Sequence, residues 1–161
     1  MEFPSEHYFQ TATERMRQAR YLFEESSSFA LAIYVGGVAV ECLLRAFKSR
    51  LDPTFDEKHD LLRLFSASGM LRVDHDKLRA KNNWSEAQIE SHLSVLRAAV
   101  NEIYKVWANN YRFASEERLR AHLKKITGYR KIKGDYLKQQ AQQFLNSAQK
   151  FMDKGVMQWH I

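Results

Sequence analysis

The sequence has few of the residues that break or cross-link a chain: its 161 residues include one cysteine, two prolines and six glycines. The single cysteine, Cys42, excludes an intramolecular disulfide and a zinc site built from several thiolates. The two prolines, Pro4 and Pro53, leave long periodic segments uninterrupted, and no alternating run of β-branched residues competes with them. The length suits one domain over residues 1–161, and the composition predicts the all-α class.

The N-terminus lacks the features of a secretory signal. Its first residues contain neither a basic segment nor an apolar stretch of the secretory kind, so we expect a cytoplasmic location. We expect Cys42 to be buried as a small hydrophobic side chain, which agrees with a reducing compartment.

A long apolar run covers residues 29–40 and stops at Glu41 and Arg45. A membrane-spanning helix needs about 20 apolar residues, and each charge at mid-bilayer costs roughly 2.5 to 3.5 kcal/mol. We therefore expect no membrane span, but a helix that is buried on all sides at the centre of a bundle. Gly36 and Gly37 each lower its helix propensity by about 1 kcal/mol, which predicts that another backbone approaches closely at a helix crossing.

Helical periodicity and capping residues divide the rest of the chain. A first helix of about twenty residues begins at Ser5, the central helix ends near Leu51, and a short helix covers residues 59–67. Ser85 begins a helix with a heptad-like seam, and the last helix has a similar seam. The two seams consist of Ile89, Leu93, Leu96, Val100, Ile103 and Trp107, and of Leu137, Ala141, Phe144, Ala148 and Phe151.

The net charge of +6 is concentrated in one part of the chain. Residues 111–138, the basic segment, contain nine lysines or arginines against three carboxylates, so the other residues are neutral overall. Within this segment, Ser115 and the two glutamates after it begin a helix that ends near Gly128. A localised positive charge of this kind attracts an anionic partner.

Aromatic residues are interspersed with the cations of the basic segment, namely Tyr111, Phe113, Tyr129 and Tyr136. Aromatic faces stack on unpaired bases for about 1 to 3 kcal/mol each, and cations release counterions from phosphates. The segment therefore predicts a surface that binds RNA or another phosphate-bearing partner. Its predicted binding residues are Arg120, Lys124, Lys125, Tyr129, Arg130, Lys131 and Lys133. The alternative interpretation is a solvated basic helix face with tyrosines at the rim of a bundle.

Three sequence features, in this order, resemble the HEPN superfamily (higher eukaryote and prokaryote nucleotide-binding domains). They are residues 40–46 (VECLLRA) at the end of the alanine-rich helix, residues 59–64 (HDLLRL) and residues 107–113 (WANNYRF). The resemblance implies an up-and-down bundle of four to five helices and a homodimer. It also implies roles in RNA cleavage, in toxin–antitoxin or phage-defence systems, or in nucleotide binding beside a nucleotidyltransferase partner.

Ribonuclease members of that superfamily carry an arginine and a histidine separated by four to six residues, which meet at a dimer cleft. None of the six histidines of this chain has such an arginine, and the nearest match is Arg118 with His122. These two share a helix face with Lys125, and together an imidazole and a guanidinium could assist cleavage through a 2′-hydroxyl. One hypothesis is therefore a metal-independent endoribonuclease that uses His122 with Arg118 or Arg112. Another is a non-catalytic scaffold or an antitoxin-like interaction protein.

Glu41 is a lone carboxylate on the apolar helix, where it needs a cation or hydrogen bonds. Arg45, His59 and Arg112 are the candidate partners. One hypothesis is a polar pocket of Glu41, His59, Trp107 and Arg112 that holds a nucleotide or an acid–base pair. The alternative is a buried bridge that fixes the helix register.

The other histidines are scattered along the chain: His7, His75, His92 and His160. None has a partner at i+4 or in an H-x-x-E motif, which would favour a metal site. We therefore expect these histidines on the surface, and we predict neither a metal nor a cofactor.

Overall fold

The computed structural model describes residues 3–54, 59–127 and 134–161, which contain helices and no strand. The predicted all-α class is confirmed. Within these ranges seven α-helices follow one another: α1 (Ser5–Glu24), α2 (Phe29–Leu51), α3 (Leu61–Ala67), α4 (His75–Asn82), α5 (Glu86–Val106), α6 (Glu116–Thr127) and α7 (Tyr136–Trp159). Two short 3₁₀ helices, Met70–Arg72 and Asn109–Phe113, lie between them.

Helix α2 lies at the centre of the bundle. It packs against α1, α3, α6, α7 and the 3₁₀ helix Asn109–Phe113, and its fully buried residues include Ile33, Val40 and Leu44. By length and composition α2 could cross a membrane, but 72% of its most apolar window is buried inside the protein. This burial agrees with the predicted core helix.

Two glycines on α2 make room for large side chains. A Cβ atom on Gly37 would lie 2.0 Å from Cδ1 and Nε1 of Trp107, and one on Gly36 would lie 2.9 Å from Leu145. The Trp107 ring is held in place because its Nε1 donates a hydrogen bond to the Tyr34 carbonyl at 3.1 Å. The close approach is therefore real, but the neighbours are side chains rather than the predicted backbone. The reason is that α5 ends just before Trp107, whose indole packs onto α2.

The predicted seams of α5 and α7 are buried. Every member of both seams is at most 6% exposed, and α5 packs against α7 along the bundle. Both seams are therefore used inside one chain, and neither faces a second copy. The homodimer stays a prediction.

Side-chain caps set the helix boundaries. Aspartates cap α3, α4 and α7 by accepting hydrogen bonds from backbone N–H groups of the first turn, and a capping box begins α5. The sequence predicts that the short helix starts at His59, but α3 starts at Leu61. The shift occurs because the Asp60 carboxylate accepts hydrogen bonds from the N–H groups of Leu62 and Arg63.

The Gly37→Ala substitution should destabilise the protein by about 1 to 3 kcal/mol, the usual cost of overpacking a core. Alanine normally stabilises a helix interior by about 1 kcal/mol relative to glycine. A destabilising effect of Gly37→Ala would therefore show that the added methyl group meets the rigid Trp107 ring. Equilibrium urea unfolding measures it. In a Trp107→Leu background the added methyl group has room, and the penalty should shrink or reverse. A stabilising effect of Gly37→Ala alone would contradict the packing described above.

Candidate nucleic-acid interface

Helix α6 carries four of the described cations of the basic segment, namely Arg118, Arg120, Lys124 and Lys125. Leu119 and Leu123 are 1% and 0% exposed and attach the helix to the bundle. Arg118, His122 and Lys125 are exposed to solvent. The helix is therefore amphipathic, and the three exposed side chains share a face, as their spacing predicts.

Two long-range hydrogen bonds fix α6 against its neighbours. The Glu116 carboxylate accepts a hydrogen bond from the backbone N–H of Ala30 at 2.8 Å, so the first turn of α6 caps the start of α2. The hydroxyl of Tyr136, the first residue of α7, donates to the Leu123 carbonyl at 3.2 Å. The exposed cations are therefore carried by a helix that is anchored near both of its ends.

The predicted binding cations differ in their surroundings. Arg120 forms an ion pair with Asp135 at 3.2 Å, and the Lys124 ammonium lies 5.8 Å from the ring centroid of Tyr136. Both are thus partly engaged inside the protein, whereas Lys125 is exposed. The remaining predicted binding residues, Tyr129, Arg130, Lys131 and Lys133, lie outside the described residues.

Only part of the predicted aromatic set reaches the surface. Tyr111 and Tyr136 are 8% and 6% exposed, so the prediction that bases stack on these two rings is wrong. Their rings complete the rim of the core instead. Phe113 is 76% exposed, more than any other large apolar side chain that the structure describes. The guanidinium carbon of Arg112 lies 4.7 Å from its ring centroid, which gives an exposed cation–aromatic pair.

The three hypothetical catalytic residues lie in the same part of the bundle. The His122 ring meets the Tyr111 ring edge-on at a centroid distance of 5.8 Å, and Tyr111 directly precedes Arg112. No hydrogen bond joins His122 to Arg112 or Arg118 within the described part of the chain. A general acid or base must come within hydrogen-bond distance of the proton that it moves. His122 is thus an exposed imidazole on a helix that also carries cations, and its catalytic role with Arg118 or Arg112 stays a prediction.

Glu41 forms a buried bridge. The residue is 5% exposed, its Oε1 accepts a hydrogen bond from Arg45 Nε at 2.8 Å, and both carboxylate oxygens lie 2.9 Å from His59 Nδ1. Arg45 is one turn along α2, whereas His59 lies just before α3. The bridge thus ties α3 to the central helix, which favours the structural interpretation of Glu41.

The other members of the predicted polar pocket have different partners. Trp107 donates its Nε1 hydrogen to Tyr34, and Arg112 is exposed beside Phe113. Neither contributes a hydrogen bond to Glu41 among the described residues, so within the predicted polar pocket only His59 is bonded to Glu41, and the pocket itself stays a prediction. Burial, together with the charge of Glu41, raises the pKa of the Cys42 thiol to about 11. The thiol is therefore protonated near neutral pH and is a poor nucleophile.

His92 is buried, so its expected place on the surface is wrong. It is 2% exposed, its ring lies 5.1 Å from that of Trp84, and neither ring nitrogen has a hydrogen-bond partner in the described structure. A signal was present in the sequence, because His92 is three residues after Ile89 and four before Leu96, which is core spacing on a helix. Burial, with a smaller effect of the Lys154 charge, lowers the pKa of His92 to about 4.

The fold also brings His75 next to two carboxylates of α5 that are distant in sequence. The potential ligand atoms of His75, Glu86 and Glu90 all lie within 4.8 Å of one another, and His75 Nδ1 lies 2.9 Å from Glu86 Oε1. Sequence spacing cannot reveal this group, since it depends on how α4 folds back on α5. Arg79 already forms ion pairs with Glu86 at 2.6 Å and with Asp76 at 3.0 Å, so protein groups offset part of the charge of the cluster.

Protonation of His92 should destabilise the protein at acidic pH. Its pKa is about 4 in the folded protein and about 6.5 when unfolded, so the unfolded state binds more protons as the pH falls from 6.5 towards 4. Wild type should therefore lose about 2 kcal/mol relative to a His92→Leu variant between pH 7 and pH 4.5. Urea unfolding of both proteins at each pH measures the difference, and other titrating groups cancel. An unchanged difference would contradict the buried neutral imidazole.

No protein family, curated protein or solved structure that we compared matches this chain. The resemblance to the HEPN superfamily therefore rests on the three sequence features and stays a prediction. The candidate interface rests on the chemistry of its own residues.

Proposed function

We propose that this chain is a HEPN-like helical module that binds single-stranded RNA through the α6 surface, which we define as Arg112, Phe113, Arg118, His122 and Lys125. The observation that carries the proposal is that exposed cations accompany an exposed aromatic ring at one end of the bundle. The contact between the rings of His122 and Tyr111 shows that α6 lies next to the 3₁₀ helix Asn109–Phe113.

The charge on the α6 surface is poorly compensated by neighbouring carboxylates. Of the three carboxylates in the basic segment, Glu116 caps α2 and Asp135 both caps α7 and pairs with Arg120. Glu117 is exposed. An excess of exposed cations raises the local concentration of a polyanion and accelerates its association.

The exposed ring of Phe113 favours a single strand over a duplex. In a double helix the base faces are stacked on one another, whereas unpaired bases can stack on an aromatic side chain. Arg112 beside the ring can stack as well, and Arg118 and Lys125 can neutralise neighbouring phosphates. This combination of a stacking ring and flanking cations suits RNA loops and ends.

RNA binding should weaken steeply with salt. The slope of log K against log salt concentration is about −0.7 per neutralised phosphate for single strands, so three cations of the α6 surface predict a slope of about −2 or steeper. The double variant Arg118→Ala/Lys125→Ala should bind more weakly and lose about 1.4 from the magnitude of this slope. Fluorescence anisotropy with labelled oligouridine at several salt concentrations measures both quantities.

A matched control removes two exposed cations elsewhere. Arg17→Ala/Arg97→Ala changes the net charge by the same amount on α1 and α5, and it should leave the slope within about 0.3 of the wild-type value. Phe113→Ala should lower the affinity without changing the slope, because stacking releases no counterions. Binding that does not depend on salt, or an equal slope for wild type and the α6 double variant, would exclude this surface.

The purified protein and labelled RNA also test the two alternative functions. Labelled RNA incubated in EDTA stays intact if the protein only binds; cleavage by wild type that is lost in His122→Ala would instead support the metal-independent endoribonuclease. A scaffold or antitoxin-like protein would bind no RNA and would co-purify with a partner protein, such as a toxin or a nucleotidyltransferase.

A further inference from the structure

A cleft of about 490 Å³ opens where the end of α2 meets the 3₁₀ helix Met70–Arg72, the start of α4 and the end of α7. Pockets for small molecules usually have volumes of roughly 300 to 1,000 Å³. At a rise of about 1.5 Å per residue, Leu51 beside the cleft lies about 30 Å along α2 from Ala30, which α6 caps. The cleft is therefore at the opposite end of α2 from the α6 surface.

The lining of the cleft combines apolar surface with cations. Leu51, Met70 and Val73 contribute apolar surface, and Arg50, Arg72 and Lys77 contribute positive charge. One carboxylate, that of Asp74, also belongs to the lining. Its Oδ1 accepts hydrogen bonds from the N–H groups of the first turn of α4, and these donors offset part of the negative charge of the carboxylate. The lining therefore favours a negatively charged molecule that also has apolar surface.

Arg50 is held in position before any molecule binds. Its guanidinium carbon lies 3.3 Å from the ring centroid of Trp159, and its Nη1 donates a hydrogen bond to the Trp159 carbonyl at 3.0 Å. A guanidinium that is already fixed loses little freedom when it pairs with an anion. This arrangement supports a preformed anion subsite.

Gln158 supplies an independent observation in the same cleft. The residue is 3% exposed, and its Nε2 donates a hydrogen bond to the Met70 carbonyl at 3.1 Å. Its Oε1 accepts no hydrogen bond from the described part of the chain. Buried acceptors nearly always have a partner. The oxygen is itself closed to solvent, so a donor group on a bound molecule reaches it only when the side chains that cover it move.

We infer that the cleft binds a small organic anion with an apolar body and an N–H or O–H group. The anionic group lies among Arg50, Arg72 and Lys77, and the apolar body lies against Leu51 and its neighbours. The donor reaches Gln158 once the side chains that cover its oxygen move. The inference does not depend on RNA binding by the α6 surface, because the two sites share no residue.

Two fluorescent probes that differ in charge test this inference. 8-Anilinonaphthalene-1-sulfonate has an apolar body, an N–H group and a sulfonate; N-phenyl-1-naphthylamine has the same body and N–H group without the charge. The folded full chain should bind the sulfonate probe at one site, about tenfold more tightly than the neutral probe. Equal affinity for both probes, or no binding of the sulfonate probe, would overturn the inference.

Paired variants locate the probe. Arg72→Ala/Lys77→Ala removes two cations from the lining and should weaken binding of the sulfonate probe about tenfold, with little effect on the neutral probe. Arg17→Ala/Arg97→Ala makes the same change of charge outside the cleft and should alter the affinity by less than about twofold. Thermal unfolding of each variant confirms that it is folded. Equal losses in the two double variants would show that the probe responds to net charge alone, which would refute the cleft site.

Discussion

The Trp107 ring packs against Gly37 of α2 and sets the position of the segment that follows it. Gly37 leaves no side chain in the way, and the hydrogen bond to Tyr34 fixes the ring orientation. The 3₁₀ helix Asn109–Phe113 follows almost at once, so the position of Trp107 determines where Arg112 and Phe113 meet solvent. Glu116 then returns the chain to α2 at Ala30. A core contact thus positions the exposed residues that we propose to bind RNA.

Charged groups in this protein serve two separate purposes. In the buried bridge, Glu41 has both Arg45 and His59 as partners, and breaking such a pair leaves an uncompensated buried charge. On the α6 surface the cations are exposed and only partly compensated. Buried pairs of the first kind hold helices in place, whereas exposed clusters of the second kind attract polyanions. Two of the three HEPN-like sequence features, residues 40–46 and 59–64, contain the members of the buried bridge. The proposed binding residues are instead exposed on the α6 surface.

Residue spacing and capping residues predict most of the helices. The site is harder to predict, because it depends on contacts between elements that are distant in sequence. The seams of α5 and α7 and the apolar face of α6 follow from residue spacing alone. The burial of Tyr111 and Tyr136 does not, because each ring is covered by elements that are distant in sequence. The polarity of His92 indicates the surface, whereas its spacing from Ile89 and Leu96 indicates the core in which it lies. The grouping of His75 with Glu86, and the cleft around Gln158, depend on how non-adjacent helices meet, which one sequence does not encode in any local pattern.

We propose that the protein recognises RNA at the α6 surface and not around the buried bridge. Chemical-shift mapping by ¹H–¹⁵N NMR, with a short oligouridine added to labelled full chain, tests it most directly. We expect the signals of Glu41 and His59 to stay unchanged and the perturbed amides to cluster at the α6 surface, namely at Arg112, Phe113, Arg118, His122 and Lys125. Perturbations centred on Glu41 and His59, or no perturbation at saturating oligouridine, would contradict it.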